Sequence, residues 1–89
     1  MVWKVEVTPA AAKQIKNLGP TNAARIRDYL RDRLATLADP RLLGKPLTGS
    51  ELGQFWRYRV GDYRLLCDIQ DGALIILVVE VGHRREVYR

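Results

Sequence analysis

Apolar and polar residues alternate from Val2 to Val7, with Trp3, Val5 and Val7 on one side and Lys4 and Glu6 on the other. That is the period of a half-buried strand. Thr8 and Pro9 then suit the N-cap and first turn of a helix that runs to about Leu18 and ends at Gly19, with Pro20 enforcing the stop. A second helix opens near Thr21 or Asn22. Its apolar stripe, Ala23, Ile26, Leu30, Leu34 and Leu37, has the three-and-four spacing of one buried face, and Arg25, Arg31 and Arg33 fall mostly on the solvent side. The pair Asp39, Pro40 ends it.

The stretch from Arg41 to Gln54 contains Pro46 and the glycines at 44, 49 and 53, and reads as an extended loop. Its length for so small a domain hints at function. From Phe55 the period becomes two, giving strands over about Phe55 to Val60, Tyr63 to Ile69 and Ala73 to Val81. Gly61, Asp62 predicts a type II′ hairpin turn and Asp71, Gly72 a type I′ turn. This order predicts an α+β domain with two helices covering one face of a mostly antiparallel sheet, the other face being left for a ligand.

The Gly61, Asp62 turn pairs Val60 with Tyr63, Arg59 with Arg64, Tyr58 with Leu65 and Arg57 with Leu66. Arg57, Arg59 and Arg64 thus share one face, and Trp56, Tyr58, Val60, Tyr63, Leu65 and Cys67 share the other. Two arginines directly opposite one another destabilise the pairing by up to about 1 kcal/mol. A polyanion would relieve that repulsion; the alternative is a solvated basic face balanced by Asp68 or Glu51. Carrying the register through a two-residue Asp71, Gly72 turn pairs Arg64 with Val79 and Leu66 with Leu77. The last strand is then apolar on both faces and central, and Val81 and His83 emerge on the arginine face.

Charge sharpens this picture. The 89 residues carry 15 Lys plus Arg against 10 Asp plus Glu, a formal charge of +5, which favours an anionic partner such as nucleic acid. Eleven of the cations are Arg, whose planar fork grips phosphate oxygens in pairs; GC-rich coding would enrich Arg as well. The length fits a single domain over residues 1–89. The lone cysteine, Cys67, lies in an apolar strand and reads as a structural thiol. The N-terminal residues are too short and polar for a secretory signal, and no apolar run approaches a membrane span. A cytoplasmic protein with no membrane association is expected. No Cys/His metal pattern, phosphate-binding glycine loop, serine-nucleophile elbow or obvious carboxylate pair is present, so no metal and no cofactor are expected. His83 is a candidate acid or base, or a binding or structural group. Tyr88 could move a proton or stack on a base.

In the segments GKPLTG (Gly44 to Gly49), WRYRVGDYRLLCDI (Trp56 to Ile69) and VGHRREVYR (Val81 to Arg89), the chain resembles the RelE/ParE superfamily of bacterial toxins. The resemblance spans the whole chain, the helical half by pattern alone. It implies a strand, two antiparallel helices and a curved sheet. The expected fold is therefore α+β, with two N-terminal helices on one face of a curved, mostly antiparallel four-stranded sheet in the order β-α-α-β-β-β. In the RelE branch, basic residues of two strands, an arginine after the last strand and a tyrosine near the C-terminus carry RNA cleavage; Arg57, Arg59, Arg64, Arg84 and Tyr88 match those positions. Two of the matches place arginine where the family has lysine. Arginine stays charged and is a poor proton acceptor, so the identity of the base stays open.

The resemblance further implies ribosome-dependent messenger RNA cleavage, by attack of a 2′-hydroxyl on its adjacent phosphate without a metal. Arg57 or Arg59 would orient or activate the hydroxyl, Arg64 and Arg84 would hold the phosphate, and Tyr88 would stack or assist proton transfer. Lys45, His83 and Arg85 join Arg57 and Arg59 as candidate RNA contacts. Expected partners are the ribosome, messenger RNA and a cognate RelB-like antitoxin. The alternatives are a ParE-like inhibitor of DNA gyrase on the same fold, and a scaffold whose toxicity is weakened or lost.

Overall fold

The computed structural model describes residues 3–46 and 55–83 of the chain. Strand β1 (Lys4–Val7) leads into helix α1 (Pro9–Asn17). Thr8 Oγ1 accepts from the Ala11 N–H at 3.2 Å and satisfies one of the orphan donors of the first turn. The helix closes at Leu18, and Gly19 turns the chain with φ +88°. Pro20 is the first residue of α2 (Pro20–Asp28) rather than a stop; at that position its missing N–H costs nothing. The second helix consequently begins slightly earlier than expected.

Beyond Asp28 the helix widens into a π-helical turn, Tyr29–Leu34, and the Ala35 N–H reaches back to the Leu30 carbonyl at 2.9 Å. The expected stripe survives this change: Ile26, Leu30 and Leu34 are buried, with Ala23 and Leu37 half-buried at its ends. The Ala35 carbonyl also accepts from the Trp3 N–H at 2.8 Å, fastening the helical layer to the start of β1.

The sheet has five strands in the order β1-β5-β4-β3-β2, where β2 is Lys45–Pro46, β3 Phe55–Val60, β4 Tyr63–Gln70 and β5 Ile75–His83. Strand β1 runs parallel to β5 and the other pairings are antiparallel. The extra strand comes from the expected loop, where Lys45 pairs with Arg57 and Pro46 with Trp56. Only an edge position accepts a proline in this way. Part of that stretch, residues 47–54, lies outside the described residues. Strand β5 is central, as its apolar character requires. The inner side chains Tyr58, Val60, Leu65, Cys67, Ile76, Val78 and Val81 form one core with Trp3, Ala11, Ile26, Leu30 and Leu34.

The Phe55–Gln70 hairpin has the expected register, including Arg59 opposite Arg64. Gly61 supplies the positive φ, +59°, that a type II′ turn needs at its first central position. The second hairpin differs. Gln70 pairs with Ile75, so the connection has four residues, 71–74, and its left-handed residue is Leu74 (φ +54°) instead of Gly72. Packing of the Leu74 side chain against the core offsets the cost of that conformation.

A β-bulge then lies in β5. Cys67 pairs with Val78 but Leu66 pairs with Glu80, leaving Val79 as the extra residue. The bulge reverses the inside–outside alternation. Arg64 faces Gly82 rather than Val79, and Leu66 faces Glu80 rather than Leu77. Val81 becomes a buried core residue. Among the described residues, no helix is long and apolar enough to cross a membrane.

Candidate functional site

The sheet face opposite the core is organised in cross-strand rows. One row runs Lys45, Arg57, Leu66, Glu80, and the next runs Arg59, Arg64, Gly82. Side chains directly opposite one another share a face, so Lys45, Arg57, Arg59 and Arg64 converge. Together with Leu43 and Tyr58 they line a concavity of about 310 Å³. Lys45 and Arg59 are exposed and Arg57 and Arg64 half-buried. The Arg64 Nε atom is withdrawn from solvent, so this guanidinium is set into the sheet surface. The Arg59 Nε donates to the Gly61 carbonyl at 3.3 Å, which draws its head toward the hairpin tip. The row ends at a glycine and offers no side chain beyond Arg64.

Two described carboxylates, Asp68 and Glu80, share this sheet face. Asp68 lies in the row of Phe55 and Leu77 and accepts from Gln70 Nε2 at 3.1 Å. Glu80 stands at the β5 end of the Lys45 row, separated from Arg57 by Leu66. Guanidinium and ammonium groups clustered in this way can pair with an anion that has several oxygens. Among the described residues, no group of three or more His, Cys, Asp or Glu side chains is placed to hold a metal ion.

Of the expected site residues, the structure brings together Lys45, Arg57, Arg59 and Arg64. His83 is not among them: the bulge turns it to the helix-covered face, where its ring meets Tyr63 edge-on at 6.1 Å and 82°. There it borders a second concavity with Gln14, Asn17 and Tyr63, while the Gln14 Oε1 accepts from the Val81 N–H at 2.7 Å. Arg84, Arg85 and Tyr88 lie outside the described residues, as does Glu51. Burial pushes the Cys67 thiol far above its usual range, which keeps it protonated and inert.

Two features escaped the sequence reading. Arg41 pairs with Asp39 at 2.9 Å and with Asp71, tying the 3₁₀ turn Pro40–Leu42 to the β4–β5 connection. In addition, the Tyr58 hydroxyl donates to the Pro40 carbonyl at 3.0 Å, and a Cβ on Gly44 would come within 2.7 Å of the Tyr58 ring. An isolated glycine directly before an edge strand is the one sequence signal for that close approach.

Comparison with known proteins agrees with this architecture. Residues 5–88 match the family described as "ParE toxin of type II toxin-antitoxin system, parDE". The toxin RelG of Mycobacterium tuberculosis is 32% identical over 89 residues, covering 100% of this chain and 99% of its own. The toxin RelE of the same organism is 31% identical over 87 residues, 98% of this chain and 87% of its own. Among solved structures, the toxin–antitoxin complex RelBE2 of M. tuberculosis superposes with a TM-score of 0.83 at 29% identity, covering 97% of this chain and 95% of that one. The archaeal RelE–RelB complex of Pyrococcus horikoshii shares the fold with a TM-score of 0.74 at 23% identity, covering 98% and 100%. The chain belongs to the RelE/ParE superfamily of toxins of type II toxin–antitoxin systems.

Proposed function

We propose that this toxin is a ribosome-dependent endoribonuclease that cuts messenger RNA and so arrests translation in the cytoplasm. One observation carries the reading: Lys45, Arg57, Arg59 and Arg64 meet around one concavity on the exposed sheet face. Neighbouring cations of this kind suit a phosphodiester whose charge grows in the transition state.

In the reaction the 2′-oxygen of one nucleotide forms a bond to the adjacent phosphorus as its proton passes to solvent water, and the bond to the 5′-oxygen of the next breaks as that oxygen takes up a proton. A cyclic phosphate and a 5′-hydroxyl result. Arg57 or Arg59 orients or activates the 2′-hydroxyl, while Arg64, together with Arg84, holds the non-bridging oxygens. Tyr88 stacks on a base or passes a proton to the leaving oxygen, and Arg85 contacts the RNA. Permanently charged arginines steady the phosphorane without a metal but accept protons poorly. The ribosome then supplies the bent messenger geometry that this acid–base set lacks. His83, on the other face, contributes packing against Tyr63 and no proton.

A RelB-like antitoxin is the expected neutralising partner, since the M. tuberculosis and P. horikoshii structures are of toxin–antitoxin complexes. A groove of about 520 Å³, lined by Trp3, Val5, Val7, Ile15 and Leu30 with Arg27 and Arg31, suits a segment with apolar and acidic residues. A second reading, a ParE-like gyrase inhibitor, draws on the name of the matching family.

Induction of the toxin followed by mapping of messenger 5′ ends separates the two. Cuts positioned on codons are the expected result. DNA damage with intact messages would establish the gyrase reading, and neither effect would leave an inactive scaffold.

A further inference from the structure

We infer that Tyr58, a core residue, is a positioning residue for the basic concavity, acting through Gly44 to hold Lys45 opposite Arg57. The inference deepens the RNA-binding reading of that face and rests on it.

The geometry runs through the edge of the sheet. Tyr58 is 2% exposed and points into the core, whereas its neighbour Arg57 points to the basic face. Tyr58 holds the chain between Pro40 and Gly44 at two points. Its hydroxyl donates to the Pro40 carbonyl at 3.0 Å. Its ring packs so closely on the Gly44 backbone that a Cβ there would sit 2.7 and 2.8 Å from two ring carbons. The next residue is Lys45, which pairs with Arg57 and lines the concavity. A two-residue edge strand has little pairing of its own to fix it, so the clamp beneath decides where the lysine stands. Burial raises the Tyr58 hydroxyl well above its usual range, and it remains a donor at every physiological pH.

This position would take a phosphate of the RNA backbone beside the one held by Arg57 and Arg64. A lysine suits such a place because it acts as a point charge with no fixed fork. Gly44 is required for closeness: a Cβ there would have to displace either the ring or the Arg57 carbonyl, 3.1 Å away.

The test compares Tyr58→Phe, Lys45→Ala and the double variant in the full chain. Binding of single-stranded oligouridylate is followed against salt concentration, and amide exchange is followed at Gly44 and Lys45. Tyr58→Phe keeps the ring, and the folded population is checked by thermal melting. If it melts out, Gly44→Ala, which leaves the tyrosine in place, replaces it in the same cycle. The expected result has three parts. Exchange at Gly44 and Lys45 rises about tenfold while α1 amides are unchanged, which corresponds to the loss of one hydrogen bond. The salt slope falls by about 0.7, one single-strand phosphate contact. The loss of affinity vanishes in the Lys45→Ala background. Unchanged exchange overturns the clamp. Equal losses in both backgrounds show that Tyr58 does not act through Lys45 and overturn the inference as well. Raised exchange with no RNA binding by the parent chain upholds the clamp and removes the RNA reading of the face instead.

Discussion

The two faces of the β3–β4 hairpin are made by alternate residues of the same strands and obey different rules. On the inner face Tyr58, Val60, Leu65 and Cys67 are buried against the helical layer, and their sizes serve stability. On the outer face Arg57, Arg59 and Arg64 stand together with Lys45 in an arrangement that works against stability, since Arg59 and Arg64 are directly opposed. Burial accounts for the first set, with Tyr58 also tied to Pro40 through its hydroxyl. The opposed Arg59 and Arg64 are disfavoured by folding alone, and such a departure from local rules is what a functional site is expected to show.

The contrast can be broken most forcefully from the inside. Leu65→Ala removes a side chain with no solvent exposure from the centre of the core, and it should destabilise the chain by about 2–5 kcal/mol in denaturant unfolding. A loss under about 1 kcal/mol would mean that the inner face tolerates cavities and is not the rigid half of the pair. From the outside, Arg64→Ala should lower ribosomal cleavage by about 100- to 1,000-fold, the usual effect of losing one donor to a developing anion. Its melting temperature should be preserved. Cleavage at the parent rate would detach the basic face from the chemistry.

Alkaline pH probes the inner face through two buried groups. The Tyr58 hydroxyl and Cys67 thiol are both raised by burial from their free values of 10.0 and 9.0. Below pH 9 both are protonated whether the chain is folded or not, and the stability they favour is fully present. Above it the unfolded chain sheds these protons first, so stability should fall by about 1.4 kcal/mol per pH unit for each group that titrates. Urea midpoints between pH 8 and 11 measure this, and Cys67→Val should remove the earlier part of the decline.

Arg59→Gln relieves the cross-strand repulsion and should raise stability by up to about 1 kcal/mol while weakening RNA affinity. A simultaneous loss of stability would show that the arginines are structurally favourable, contrary to the comparison. The smallest effect is expected from His83→Ala. With the imidazole against Tyr63 on the helix-covered side, the shape of the pH–rate profile for cleavage should be retained. Loss of one limb of that profile would return His83 to the reacting phosphate.

Much of the molecule was legible in local pattern. The Thr8 cap, the stripe Ile26, Leu30, Leu34, and the Gly61, Asp62 turn are decided by residues within a few positions of each other. The pairing of Arg59 with Arg64 follows from that turn. The second hairpin was not legible. Asp71, Gly72 is a good two-residue turn in isolation, but the chain places Leu74 in the left-handed region because its side chain then reaches the core. The bulge at Val79 has no signal in an apolar run where every residue suits either face.

The sequence by itself determined the two helices and strands β1, β3, β4 and β5 in their order, the family to which the chain belongs and the grouping of Arg57, Arg59 and Arg64. Short-range periodicity and a tight turn suffice for these. Only the tertiary structure decided that Lys45 joins them, that Val81 is core and that His83 leaves the basic face. Those outcomes depend on the register between strands far apart in the chain, where one extra residue exchanges the two faces.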